Sequence, residues 1–262
     1  HSRPRSPAAR SPAAKFRCVS RIPASSIAET NACTSESDGT DALNGHQNST
    51  AEKPARATAA GRSSTGRSVS MIEAFRVADD VLRRARSGEV VLAPGDDVLL
   101  RDMISRSDDP AASSLWVRFG GGRMVSDTAL RYGLTGTAPP ERPGRWGDTR
   151  ITARDLAVFL SLLPVLAHPD DAAAILGWMR DVAPRAADGF DQAYGLATLP
   201  GDPAVKQGWM CCIASRAEVH SVAIIEGRYM VAVMSSQPPG YDQARQPVSA
   251  AADPGLSAWV ED

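Results

Sequence analysis

"AVKQGWMCCIASRAEVHSVAIIEGRYMVAVMSSQ", residues 204–237, decides the fold class. Three apolar, β-branched runs are parted by the short breaks "SRA" and "GR", the pattern of sequential antiparallel strands joined by tight turns. Lys206-Gln207-Gly208 opens the first strand. Further along it Cys211 and Cys212 stand side by side, so strand alternation would send them to opposite faces. Adjacent cysteines rarely bond each other without strain, because their Cα atoms are too close for relaxed disulfide geometry.

Upstream the apolar period changes from two to that of a helix. Met71, Phe75, Ala78 and Leu82 share one face, and Gly88 marks the stop of a helix over 70–87. After the "APGDD" turn (93–97), Val98, Leu99, Met103 and Ile104 predict a short helix ending near Ser105. Pro110 starts a third, "PAASSLWVRF", which the glycines 120–122 terminate. Residues 133–150 read as a turn-rich surface loop. Thr152 then opens "TARDLAVFLSLLP", with Thr152 and Asp155 as a capping box and Pro164 as the stop. "DDAAAILGWMRDVA" (170–183) supplies another helix with two carboxylates at its positive end. Helices bunched ahead of a β-meander predict an α+β domain with helices packed on an antiparallel sheet.

Residues 1–66 are rich in Ser, Ala, Pro, Thr and Arg and carry little apolar periodicity, so burial there cannot offset the entropy of ordering and disorder is expected. Within that third, "KFRCVSRI" (15–22) is the one candidate strand. A folded domain is expected over 67–240, followed by a tail at 241–262 that holds at most a short helix, since Pro254-Gly255 interrupt it. A net charge of −1 gives no electrostatic ground for a nucleic-acid partner. No run reaches the roughly 18 apolar residues of a membrane span, and the N-terminus has no apolar signal-peptide core. The four cysteines form no C-x-x-C pair and no histidine pair lies near them, which argues against zinc; no metal or cofactor is expected.

Three short signals follow one another in order. Ser70 stands at the start of the first helix, Ser107-Asp108-Asp109 on the hinge between the next two, and Lys206-Gln207-Gly208 on the first strand of the meander. Taken singly, each has an ordinary structural reading as a helix cap or a solvated strand edge. Their order and context resemble the serine β-lactamase and penicillin-binding-protein family, whose motifs are S-x-x-K, S-D-N and K-T-G. "MISRSDDPAASSLW" (103–116) resembles that family's helix-loop-helix passage, and "WGDTRITARDLAVFL" (146–160) the exit of its omega-type loop. The likeness covers about residues 67–239 and implies a β-lactamase/transpeptidase-like fold, although the N-terminal strands of that sheet have no counterpart in the folded part of the pattern.

The resemblance implies roles. A serine hydroxyl needs a base to take its proton, and a helix N-terminus adds positive potential; Ser70 would be the nucleophile. Ser107 would relay a proton to the leaving group, and Lys206 would bind the substrate carboxylate and tune Ser107. Gly208 would let a substrate backbone lie along the strand edge, with Asp109, Gln207 and Trp209 as further substrate contacts and Trp146 flanking the groove. Glu141, the only glutamate on residues 133–147, is the candidate deacylation base, and a solvated loop residue is its ordinary reading. Implied substrates are β-lactams or D-Ala-D-Ala-type peptidoglycan peptides, and the implied compartment is extracytoplasmic.

One departure is large. Position 73 is Glu where the family has lysine, and the only lysines, Lys15, Lys53 and Lys206, complete no S-x-x-K elsewhere. A carboxylate of reference pKa about 4.3 is a weaker base than a neutral amine and repels a forming alkoxide. If Glu73 approaches Lys206, the two are expected to pair and quench each other. The expected protein is therefore a serine hydrolase of low activity; the alternative is a non-catalytic binding or regulatory protein of the cell envelope.

Overall fold

A computed structural model describes residues 17–21, 73–213, 215–227 and 229–252. The meander forms β2 (Ala204–Ile213), β3 (Arg216–Ile225) and β4 (Tyr229–Gln237), and β1 (Arg17–Arg21) adds a fourth strand. All pairings are antiparallel and the order is β1-β4-β3-β2, which leaves β2 at an edge. Strict alternation divides the side chains between two cores. Val222, Ile224, Met230 and Ala232 face the main helical layer, whereas Val219, Ala223, Val231 and Val233 face the opposite side.

The main layer holds α1 (Ala74–Arg86), α2 (Asp96–Ser105), α3 (Asp109–Phe119), α4 (Gly122–Tyr132), α5 (Ala153–Leu166) and α6 (Pro169–Arg180). Phe75 of α1 stacks on Phe159 of α5 with ring centroids 5.2 Å apart, and Tyr132 of α4 closes on the same ring at 4.5 Å. On the other face α7 (Tyr241–Ala252) buries Ala244, Val248 and Ala252 against β3 and β4. The α+β architecture expected from the sequence is the one found.

Several local expectations are corrected. Residues 17–21 form a strand registered on β4, so the sheet has an N-terminal strand; the other residues of 1–66 lie outside the described part, as does Ser70. The glycines 120–122 do end α3, but they also start α4. Gly120 is left-handed at φ 106°, and Gly121, at φ 56°, has no room for a Cβ, which would sit 2.9 Å from Trp116 Nε1. Pro164 lies inside α5, which runs on to Leu166 because Ala167 N still bonds Leu163 O. Thr152 caps that helix by accepting from Asp155 N, but the Asp155 carboxylate reaches outward to the loop instead of back to the cap. The segment after 240, expected as a tail holding at most a short helix, carries the 12-residue helix α7, which packs on the sheet.

Cys211 and Cys212 are the last correction. The alternation expected of them fails, because a register shift between Cys211 and Ile213 leaves Cys212 without a partner on β3, and both side chains lie exposed.

Candidate active site

The hinge between α2 and α3 is a tight turn. Arg106 N and Asp108 N both bond Asp102 O, Asp108 caps α3 by accepting from Ala111 N at 2.8 Å, and Ser107 between them is held at φ 49°. This turn aims Ser107 at the helix-facing side of β2. Lys206 Nζ, fully buried, donates to Ser107 Oγ at 2.5 Å and to Gln207 O at 2.8 Å. Burial drives the Lys206 pKa down to about 7, with the Asp109 charge opposing the fall. Near neutrality the amine is thus divided between a charged donor and a neutral base.

Gln192 completes this pair and was not singled out in the sequence. Its Oε1 accepts the Ser107 hydroxyl at 2.7 Å, while its Nε2 donates to Ala183 O at 2.9 Å and to Ser105 O at 3.4 Å. Two carbonyls facing Nε2 fix which way the amide points, and so the direction of the Ser107 proton. A glutamine in a polar loop carries no periodic or motif signal that would have found it.

Glu73 does not meet Lys206. It is buried beside Arg76, three residues on along α1, and the two form an ion pair. Burial pushes the Glu73 carboxyl up, and Arg76 works against the rise. Arg76 Nη1 also donates to Thr137 Oγ1 at 3.0 Å; Thr137 Oγ1 in turn donates to Asp155 Oδ2 at 2.8 Å, which accepts Gly136 N as well. The ion pair therefore ties α1 to the loop and to α5. The expected quenching pair is corrected for this reason: a guanidinium on the same helix reaches Glu73 first. The second oxygen, Glu73 Oε2, is buried beside Met103, Trp116 and Trp146 and has no hydrogen-bond partner among the described residues.

The remaining predicted residues divide. Asp109, Trp146 and Trp209 line one cleft of about 330 Å³ with Asp188 and Tyr241. The Asp109 carboxyl is raised by partial removal from water and by Asp188, against the pull of Lys206. Gln207 points the other way, donating to Gln192 O at 2.9 Å and Tyr194 O at 2.6 Å. It braces the loop that carries Gln192. Trp209, on that same face, stacks on Phe190 at 4.1 Å. Gly208 is buried opposite His220, itself buried with its pKa lowered to about 4 by desolvation. Glu141 is exposed and lines a separate, adjoining cleft with Arg142, Arg145 and Arg150. No cluster of metal-ligating side chains occurs among the described residues.

Comparison with known proteins bears on the family and the fold. Residues 85–256 match the family described as "Beta-lactamase enzyme family". LppW of Mycobacterium tuberculosis and of Mycobacterium bovis, provisionally named a lipoprotein, is 38% identical over 186 residues, covering 67% of this chain. The chain spans 58% of the length of that relative. Among solved structures, a β-lactamase from Chitinophaga pinensis superposes with a TM-score of 0.61 at 13% identity, covering 76% of this chain and 89% of its own. PBP-A does so at 0.59 and 17%, covering 74% and 81%, and TLA-3 extended-spectrum β-lactamase at 0.59 and 14%, covering 74% and 84%. These distant likenesses bear on the fold, and the family match covers well over half the sequence: the chain belongs to the β-lactamase enzyme family.

Proposed function

We propose that this chain is a cell-envelope acyl-transfer domain for β-lactams or D-Ala-D-Ala-type peptidoglycan peptides, with acylation of Ser70 slowed by orders of magnitude. Ser107 and Lys206 serve as proton relay and carboxylate binder, and Asp109, Trp146 and Trp209 flank the substrate. The domain takes in residues 67–240 together with β1 and α7. An envelope location is supported by the lipoprotein name of LppW.

The observation that carries this reading is the Glu73–Arg76 ion pair. Lys206 lies 2.5 Å from Ser107, which supports a relay role for the two, while Glu73, on the helix proposed to carry the nucleophile, is bound to a buried guanidinium. Arg76 draws down the basicity that burial gives this carboxylate and occupies one of its oxygens, and no lysine amine stands at position 73 to take its place. A second reading, a binding module without turnover, is favoured by Gln207, whose amide is committed to two loop carbonyls instead of facing a ligand.

The test is labelling by a fluorescent penicillin, read by intact mass, on the native chain and on Glu73→Lys/Arg76→Met. Both positions change together because Glu73→Lys alone would bury two cations side by side. Slow label on the native chain and fast label on the double variant support the proposal. Label on the native chain at the rate of an efficient family member refutes it, and a folded double variant that takes none decides for the binding module.

A further inference from the structure

The cleft that holds Glu141 continues the one that holds Asp109. The two share Arg145, Met210 and Cys211, so they are consecutive halves of one groove along β2, whose outer side pairs with no other strand among the described residues. The charge on the walls changes sign along its length. The inner half, about 330 Å³, carries Asp109 and Asp188, whereas the outer half, about 340 Å³, carries Arg142, Arg145 and Arg150 against Glu141 and Asp148. Arg142 and Arg145 share the single carboxylate of Asp148, at 3.0 and 3.6 Å. Arg150 forms no ion pair and no side-chain hydrogen bond among the described residues, yet it is held in place by its backbone, which bridges to Ala138 in both directions at 2.9 and 3.1 Å. The outer half thus keeps an excess of positive charge on an anchored, uncommitted guanidinium.

We infer that the outer half of the groove is a specificity pocket for a carboxylate on the acyl arm of the substrate, received by Arg150; the inference rests on the acyl-transfer reading for the direction in which the substrate lies. A substrate laid along the β2 edge with its terminal carboxylate toward Lys206 reaches the outer half at Met210 to Ile213. At roughly 3.3 Å per residue that is about 13–23 Å from Lys206, the reach of a short extended peptide. A guanidinium meets a carboxylate through two parallel N–H donors, and Arg150 has its donors free for such a contact. The inner half acts in the same direction, because Asp109 and Asp188 repel an anion held between the two ends. The groove therefore selects the position of a carboxylate along the substrate as well as its presence. An ammonium group at the outer end would meet like charge, and an apolar one would gain nothing from the arginines.

The experiment titrates three peptides into the full chain by calorimetry: Ala-Ala-D-Ala-D-Ala carrying a glutaryl, a pentanoyl or a 5-aminopentanoyl group on its N-terminus. They share about 13 Å of extended backbone and a five-carbon arm, and differ in an anionic, neutral or cationic end. The glutaryl peptide is expected to bind roughly fivefold more tightly than the pentanoyl one at low salt and the 5-aminopentanoyl peptide more weakly than either, with high salt narrowing the spread. Arg150→Glu is expected to reverse the order of the two charged peptides. That side chain is exposed and makes no ion pair in the fold, and the comparison on the native chain stands without the variant. Equal affinities, absence of binding by all three, or an unchanged order in Arg150→Glu would each overturn the inference. Affinity is read without acylation, so penicillin labelling with equal peptide affinities overturns this inference alone, and a carboxylate preference without labelling overturns acyl transfer alone.

Discussion

Replacing Lys206 by methionine tests whether its amine is as strongly perturbed as its surroundings demand. The side chain is fully buried, so no solvent screening reduces the effect, and its pKa falls from 10.5 to about 7. With each pKa unit worth about 1.36 kcal/mol, the gap corresponds to on the order of 5 kcal/mol of differential stability. The folded pKa lies below the unfolded one, so between about pH 7 and 10 the unfolded chain holds more protons and stability rises with pH. Below about pH 7 both states are charged and the cost of burying the ammonium is present in full. Urea unfolding followed by tryptophan fluorescence should therefore show native stability climbing by up to about 1.4 kcal/mol per pH unit from pH 7 to about 9.5. Tyr132 and Tyr194, both raised by burial, add an opposite slope only above their ordinary range near 10. In Lys206→Met the climb should vanish. At pH 7 the variant should be more stable by a few kcal/mol, less about 1 kcal/mol for each of the two lost hydrogen bonds. A native profile that is flat over this window, or a climb that persists in the variant, would refute the burial argument for Lys206.

Two further outcomes follow from named contacts. Gln192→Glu places a carboxylate against Ser107 and should raise the Lys206 pKa by about one unit or more, read by NMR at Cε, whereas Gln192→Ala should leave the Lys206 pKa near 7 and cost about 1–3 kcal/mol in unfolding. Gly195→Ala should destabilise by several kcal/mol more than Gly189→Ala. Both positions have positive φ, but only at Gly195 would the Cβ strike packed atoms, Val248 Cγ1 at 2.8 Å and Ser221 Cβ at 3.0 Å, and thermal melts of the two variants measure the difference.

What the chain reveals before folding follows the strength of its local signals. β2, β3 and β4 were legible because β-branched runs with period two are bounded by short breaks, and the Ser107–Lys206 pair because two motifs fall in family order. Arg76 was hidden by α1 itself. Its pattern reads as an amphipathic helix with one wet face, yet Arg76, Asp79, Asp80 and Arg84 are all buried, since the helix is packed from several sides. Arg76 and Asp80 find partners within a turn of the helix, but Asp79 is met by Arg131 and Tyr132, and Arg84 partly by Phe119 O, all far off in sequence. Hydrophobic periodicity reports which face prefers the core and says nothing of a polar face that other elements then cover. The start of α4 was missed for a simpler reason, because a glycine run ends a helix and allows the next to begin with the same residues.

The buried pair on α1 also constrains how this sequence can change. Going from Glu73 to lysine leaves two cations in one dry site, and losing Arg76 first leaves a buried carboxylate alone, so either single step passes through a chain that folds poorly. Thr137 and Asp155 lean on the same guanidinium and deepen both barriers. Position 73 is therefore coupled to position 76: with Arg76 built into the surrounding network, a lysine at 73 is accommodated only together with a matching substitution at 76.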